Sequence, residues 1–443
     1  MALSGIQIYK LLPQTNCKDC DFPTCLAFAM KLAAKQVELS LCPHVSDEAK
    51  AELSEAAAPP VRPITLKSNG YEVQSGNEVV LFRHEKTFYS RPGLFLRVRD
   101  SESADEIKAK VQPADTYKVD YVGIDLEMSG FAVQADNGDF GTAIKSVREV
   151  SQRPLILIGD PDTLKEGLAE LGDGEKTLLY PATADNWEAM ATLAKEHDAA
   201  LAMEAGSIDE IVDLSEKLVG AGVNDLVLSP TQRGFYGTLT ANTISRRMAL
   251  KKTFRPLGYP IINFPGDVGN SAKEVMLAAQ AIGKYSSFII LDHFSPETAY
   301  PLLVLRENIY TDPQKPIQVQ PGVYEINDPK PEDPVLVTTN FSITYFSVAN
   351  EVESAGLPAW LLVTDSEGMS VLTAWAAGKF DSERIAKDVK NFNVADKVSD
   401  KRLVLPGAVA VLSGELEEEL PDWQISVGPR EAVDIPKYYK QVI

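Results

Sequence analysis

All four cysteines of this chain fall within its first tenth, at positions 17, 20, 25 and 42 of 443 residues. The spacing C-x2-C-x4-C-x16-C packs four thiols into a segment too short and too polar to hold a core without a cross-link. The opening Met1-Ala2-Leu3-Ser4-Gly5 lacks a basic n-region with an apolar h-region behind it, so no secretory signal is read and a cytoplasmic location is expected. Disulfides are disfavoured in that reducing compartment, which leaves zinc, an iron–sulfur cluster or unrelated thiols. Zinc sites usually show two C-x2-C-like knuckles. Here three cysteines crowd into one short stretch, and the fourth, followed by Pro43, comes after a predicted helix over 26–39. That asymmetry favours ferredoxin-type ligation of a [4Fe-4S] cluster by Cys17, Cys20, Cys25 and Cys42. His44 is expected as an exposed turn residue beside them.

Charge narrows the partners. With 63 acidic against 43 basic side chains the net charge is -20, which repels a phosphate backbone, so no nucleic acid is expected. No apolar run approaches the roughly 18 residues that span a bilayer, so no membrane is expected either.

Punctuation along the chain predicts three α/β domains: 1–57, a cluster-binding module; 93–312, a barrel; and 326–443, an open sheet. The first ends at Ala56-Ala57-Ala58-Pro59-Pro60, whose prolines favour an extended linker. Tyr71–Val73 and Val79–Phe82, flanking Ser75-Gly76-Asn77, read as a β-hairpin that plugs or covers one end of the next domain. Eight β-rich runs then alternate with helical stretches: Leu94–Arg99, Tyr121–Leu126, Pro154–Gly159, Thr177–Tyr180, Ala200–Glu204, Asp225–Leu228, Pro260–Phe264 and Phe288–Leu291. That repetition predicts a TIM (β/α)8 barrel. A proline-rich passage from Tyr310 to Pro334 is expected to tether the last domain without packing tightly. Val335–Asn340, a helix to about Ala355, Trp360–Thr364 and Arg402–Gly407 then argue an open, Rossmann-like doubly wound sheet, whose ligands bind beyond the carboxyl ends of its strands.

The run from Leu11 through Cys17, Cys20 and Cys25 to Ala29 resembles a small cluster-binding module of anaerobic electron-transfer proteins. Together with the barrel and with Thr338-Thr339-Asn340-Phe341-Ser342 and Gly368–Trp375, it makes the whole chain resemble the large subunit of the corrinoid iron–sulfur protein. The resemblance implies a methyl carrier whose Co(I) accepts a methyl group from methyltetrahydrofolate through a methyltransferase. It implies delivery of that group to the nickel site of acetyl-CoA synthase, partner of CO dehydrogenase, and rescue of oxidised cobalt by the cluster. It also implies a smaller TIM-barrel subunit as heterodimer partner and a low-potential electron donor such as ferredoxin. The cofactor is then a corrinoid, or cobamide, lying against Thr339, Asn340, Phe341, Thr344, Phe346, Ser370, Val371, Leu372, Thr373 and Ala374. Gly407 and Gly428 would permit close backbone approach. No catalytic side chain is implied, because cobalt is the nucleophile.

Histidine supplies a departure from the wider corrinoid pattern. The four are His44, His84, His197 and His293, so the last domain offers no imidazole, and the Asp-x-His-x-x-Gly loop of many corrinoid domains is missing. The expectation is base-off, His-off cobalt. A lower ligand favouring Co(II) over Co(I) by about 10⁴ would cost on the order of 240 mV of driving force, so an empty face keeps Co(I) within reach of the cluster. Asp100, Asp125, Glu127, Asp160, Glu204, Asp267, Asp292 and His293 sit near strand ends of the barrel and are expected to be solvated acids and caps. In a rival reading they serve a pterin-dependent barrel methyltransferase with a structural cluster; a simple electron carrier is the third. Trp187, Trp360 and Trp423 are expected in cores, Trp375 with less reason.

Overall fold

The computed structural model describes residues 5–33, 37, 39–46, 49–50, 53, 59–312 and 317–442. The chain divides into two compact units, Met1–Tyr117 with Met128–Arg306, and Lys118–Glu127 with Glu307–Ile443. The predicted Ala56–Ala58 linker residues and Pro313 and Pro316 lie outside the described residues.

In the first unit β1 (Ile64–Ser68) and β2 (Tyr71–Ser75) form an antiparallel hairpin. Asn69 (φ 43°) and Gly70 (φ 90°) make its turn in the left-handed region, the two-residue geometry that matches strand twist. The expected pairing of 71–73 with 79–82 is therefore wrong. Gly76 is no hairpin turn: a Cβ there would lie 2.1 Å from the carbonyl oxygen of Arg62, because the chain passes under itself at that point. The expected plug is present, one register earlier. Ile64 and Leu66, with Val73 packed against them, share a core with Phe95, Ile156, Leu178, Ala200, Val227 and Phe288 on the barrel strands. Replacing Leu66, fully buried, by alanine should cost about 2–5 kcal/mol in denaturant unfolding. A loss below about 1 kcal/mol would mean the hairpin is dispensable to the barrel.

Eight parallel strands follow. They are β3 (Gly93–Arg99), β6 (Gly130–Gln134), β7 (Leu155–Ile158), β8 (Leu178–Ala182), β9 (Ala200–Ala205), β10 (Leu226–Pro230), β11 (Ile262–Asn263) and β12 (Phe288–Leu291), in the order β10-β9-β8-β7-β6-β3-β12-β11. The sheet's two edges meet where the Leu228 N–H donates to the Pro260 carbonyl at 2.8 Å and Leu228 pairs with Ile261. Runs such as Leu155-Ile156-Leu157-Ile158 are buried throughout, as parallel strands covered on both faces must be. Several helices between them start with side-chain caps, from Ser103, Asp139, Asp160, Ser207 and Asn270; Ser207 and Glu210 form a reciprocal capping box on the helix Ile208–Gly220.

One predicted barrel strand is misassigned. Residues 121–126 belong to a short antiparallel hairpin of β4 (Val119–Tyr121) and β5 (Ile124–Leu126) in the second unit. Its turn runs through Val122 (φ 58°) and Gly123 (φ 77°), so the apparent continuous run folds back on itself. The true second barrel strand is β6, whose Gly130 admits no side chain: a Cβ would sit 2.2 Å from the Pro154 carbonyl oxygen.

The second unit holds a five-stranded sheet of β13 (Gly322–Ile326), β14 (Val335–Thr339), β15 (Ala359–Thr364), β16 (Arg402–Leu405) and β17 (Gln424–Val427). Its order is β13-β15-β14-β16-β17, with β13 antiparallel at the edge and the rest parallel. The order therefore reverses at β14, the position where open α/β sheets form their ligand crevice. Alternate residues serve two cores: Val335, Val337, Trp360 and Leu362 face one, Leu336, Leu361 and Val363 the other. The passage before it is not a loose tether throughout, because 322–326 pair in the sheet and Ile317 and Val319 are buried. Among the described residues no helix is long and apolar enough to cross a membrane.

Candidate functional site

The cysteine loop carries an unusual backbone. Gln14, Asn16, Lys18 and Asp21 all adopt left-handed φ values of 50° to 68° without being glycine. Alternation of such residues turns successive N–H groups into one concavity, the arrangement that receives anions and iron–sulfur clusters. Asn16 Oδ1 accepts the Cys25 N–H at 2.8 Å, tying the loop's start to its third cysteine. Cys25 opens the helix Cys25–Ala33, and Thr24 Oγ1 accepts the Ala27 N–H at 3.1 Å. Cys20, Cys25 and Cys42 are buried in one cluster with Ile8, Leu12, Phe28 and Ala29, while Cys17 is exposed. The helix is shorter than expected in what can be described, ending at Ala33 before residues outside the described set. His44 is half-exposed, as expected, and its Nε2 lies 2.5 Å from Asp19 Oδ2. That hydrogen bond, then one from Cys17, holds the Asp19 carboxyl below its ordinary value.

The second candidate surface is the carboxyl edge of the sheet in the second unit. Thr338 and Thr339 end β14 fully buried, and neither hydroxyl has a hydrogen-bond partner among the described residues. Asn340 is buried and works internally. Its Nδ2 donates to Gln318 Oε1 and Asp365 Oδ1, both at 3.2 Å, and its Oδ1 accepts the Ser366 and Gly368 N–H groups at 2.9 and 3.0 Å. Phe341 precedes the helix Ser342–Ser354, which carries half-buried Thr344 and Phe346. Phe346 stacks on Tyr121 of the β4–β5 hairpin at 6.3 Å between ring centres. Ser370 and Thr373 hydroxyls lie 3.0 Å apart at the start of the short helix Val371–Ala376, where Leu372 and Thr373 are exposed, Val371 is half-buried and Ala374 is in the core. A Cβ at Gly407 would meet the Gly428 carbonyl oxygen at 2.4 Å, so these glycines let two loops close on each other.

Sequence reasoning missed the Gln318–Asp365–Ser366 contacts that fix Asn340, since they join segments far apart in the chain. It also missed the apolar rim. Ile343, Leu372 and Val411, from the segments that follow β14, β15 and β16, and Val427 at the end of β17 are all exposed, and Trp375 is 42% exposed rather than core. Trp360 and Trp423 are buried as expected. Several large apolar side chains bared at one strand edge mark a place for an apolar body.

The barrel acids are tied up in pairs and caps. Asp160 caps the helix Pro161–Leu168, and Asp100 Oδ1 accepts the Asp136 N–H at 2.6 Å; Asp125 and Glu127, expected at a barrel strand end, lie instead in the second unit, where Asp125 on β5 pairs with Lys118 at 2.7 Å. Arg97, only 4% exposed, bonds Asp292 at 2.6 Å, Asp267 at 2.8 Å and Gln134 at 3.0 Å. Arg99 bonds Asp292 at 3.2 Å; Arg233 reaches Glu204 at 3.0 Å and Tyr180 at 3.2 Å. Burial pushes Tyr180 far up. Burial also pushes Asp292 up, but bonding to Arg97 and the Arg97 and Arg99 charges outweigh it and leave the carboxyl below its ordinary value. His293 Nδ1 lies 2.5 Å from buried Glu274. The mouth of the barrel is thus filled by matched charges.

Residues 12–44 match an Fe-S cluster family, and residues 63–439 match the family described as CO dehydrogenase/acetyl-CoA synthase delta subunit. The corrinoid/iron-sulfur protein large subunit of Moorella thermoacetica is 44% identical over 98% of both chains. The chain belongs to the corrinoid iron–sulfur protein large-subunit family. Two archaeal relatives, the acetyl-CoA decarbonylase/synthase complex gamma subunits of Methanopyrus kandleri and Archaeoglobus fulgidus, are each 34% identical. They cover 99% and 97% of this chain, and 98% and 96% of their own lengths are matched. Family membership thus spans both units and the cysteine loop.

Proposed function

We propose that this chain is a corrinoid methyl carrier of the acetyl-CoA pathway, with a [4Fe-4S] cluster in its first fifty residues and a cobamide on the carboxyl edge of its second unit. The observation that carries the reading is similarity over nearly the whole length to a protein named for both cofactors. The cofactors supply a cobalt nucleophile that takes a methyl group originating on methyltetrahydrofolate, and a one-electron donor that restores the cobalt when it is oxidised.

The chain's own residues do the rest. Cys17, Cys20, Cys25 and Cys42 ligate iron, with the left-handed loop offering N–H groups to an anionic cluster. Asn340 locks the loop after β14 to the loop after β15 through three hydrogen bonds and to Gln318, ahead of β13, through a fourth, giving the corrin a fixed edge. Ile343, Leu372 and Trp375 supply apolar contact, Ser370 and Thr373 hydroxyls the polar rim. Phe346 supports the helix from the hairpin side. The partners that follow from this chemistry are a methyltetrahydrofolate methyltransferase, acetyl-CoA synthase/CO dehydrogenase, a smaller barrel subunit and a ferredoxin-like donor. The rival pterin enzyme is disfavoured because the barrel mouth is occupied by Arg97 and its carboxylates, and the hollow beside Asp267 measures about 200 Å³, below the range usual for such ligands.

Anaerobically purified protein should show corrin and iron–sulfur bands together, with iron and cobalt in a ratio of about four to one. Iron without cobalt would leave the electron carrier and the pterin enzyme, which a pterin-binding titration separates. Since no histidine follows His293, electron paramagnetic resonance of the Co(II) state should lack superhyperfine splitting from an axial nitrogen. Coupling to one nitrogen would overturn the His-off assignment.

A further inference from the structure

A hollow on the outer side of the barrel wall contains a buried donor with nothing to bind. Ile262 and Phe264 share the barrel core, and side chains alternate along a strand, so Asn263 of β11 turns outward to the helices. It is 4% exposed. Its neighbour Asn242, fully buried on the helix Gly234–Lys252, donates from Nδ2 to the Lys284 carbonyl at 2.9 Å. A carbonyl can only accept, so that bond fixes which way the Asn242 amide faces. The same Nδ2 donates to Asn263 Oδ1 at 2.8 Å, and the Ser286 hydroxyl donates to Asn263 Oδ1 as well. Asn263 Oδ1 is therefore committed to the protein, while its Nδ2, with two N–H groups, has no acceptor among the described residues. That nitrogen is left to the hollow of about 200 Å³ that Asn263 lines.

The other polar groups of the hollow are mainly donors. Arg233 crosses the Phe264 ring at 4.9 Å, and its hydrogen bonds to Glu204 and Tyr180 both leave from Nη2. Arg233 also stands at the N-cap of the helix Gly234–Lys252 without capping it through its side chain, so first-turn N–H groups beside Gly234 add to the surplus. Asp267 is the one carboxylate among the lining residues, and Arg97 holds its Oδ1 at 2.8 Å. The remaining walls, from Pro265, Val268, Leu277 and Ala281, are apolar. Leaving a buried donor unpaired is unfavourable, and donors at one end with hydrocarbon at the other match an acid with an apolar body. We propose that this hollow is a binding site for a small organic carboxylate, whose oxygens accept from Asn263 Nδ2 and Arg233 and whose hydrocarbon part lies on Val268, Leu277 and Ala281. The volume equals roughly six or seven waters at about 30 Å³ each, which suits an acid of about four to six carbons. The site uses none of the residues assigned above to the cluster or the corrinoid.

The test is equilibrium dialysis of the full-length protein, cofactors in place, against labelled acetate and labelled 3-methylbutanoate. 3-Methylbutanoate should bind saturably at one equivalent and at least about tenfold more tightly than acetate, because its branched tail leaves water for the apolar walls. Inorganic phosphate and 3-methylbutan-1-ol, each lacking one half of the pattern, should compete at least about tenfold less well. Asn263→Asp keeps an acceptor for Asn242 and Ser286 but turns a second oxygen toward the hollow, so affinity should fall at least about tenfold. Leu277→Trp, which fills the hollow from a half-buried wall, should abolish binding and serves where Asn263→Asp does not fold. No saturable binding of either acid, equal binding of phosphate and 3-methylbutanoate, or unchanged affinity in a folded variant overturns the proposal.

Discussion

Cys20→Ala should strip the iron–sulfur cluster from the protein while leaving its corrinoid in place. Cys20 is buried with Cys25, Cys42, Phe28 and Ala29, so the thiolate proposed above as a ligand is also part of a core that is too small to persist without the cross-link. The expected result is complete loss of cluster absorbance and faster proteolysis of the first fifty residues. The second unit has its own two cores and should retain its corrinoid. With the cobalt reduced chemically, one methyl transfer should proceed at the wild-type level; sustained turnover should fail as oxidised cobalt accumulates. A variant that lacks corrinoid, or cannot accept methyl even when reduced beforehand, would give the cluster a role other than rescue.

Arg97→Met should be the most damaging single change in the barrel. It leaves Asp292 and Asp267 facing a buried gap with one guanidinium fewer, and breaking a buried pair from one side costs about 3–5 kcal/mol. The pH dependence should also change sign. In the wild type the Asp292 carboxyl lies below its ordinary value, so the unfolded chain binds more protons than the folded one. That contribution is fully present above the unfolded pKa of about 3.9 and is lost as pH falls through the lower folded value. Without Arg97, burial acts on Asp292 with only Arg99 opposing it, and the folded pKa rises above the unfolded one. Stability of the variant should then increase as pH is lowered from neutrality toward about 4, where the wild type shows no such gain. Parallel pH–stability curves for the two proteins would show that Arg97 does not set the ionisation of Asp292.

The repeating barrel was readable because a parallel strand buried on both faces is a short, unbroken apolar run, as in Leu155–Ile158 and Phe288–Leu291. The misassignment at 121–126 came from the same rule: Tyr121-Val122-Gly123-Ile124 looks like such a run, and only the left-handed Val122 and Gly123 reveal a turn. β6 was missed because Gly130, required by the Pro154 backbone, and the flanking Ser129 read as loop. Cysteine spacing pointed to the cluster family that residues 12–44 match, since ligation demands particular atoms at particular intervals. The carboxyl edge was legible only in outline. Thr339 and Asn340 were singled out as alike, yet Asn340 spends its hydrogen bonds on Gln318, Asp365 and two backbone amides while Thr339 spends none. That difference depends on loops brought together by the fold, which no local pattern encodes.

The carrier account is tested most directly by following one methyl group. Chain reduced to Co(I) and mixed with isotopically labelled methyltetrahydrofolate and its methyltransferase should take up label in proportion to its cobalt content. After removal of the donor, the labelled protein should pass that label to acetyl-CoA synthase. Label that never becomes bound to this chain, while acetyl-CoA still forms, would contradict the account.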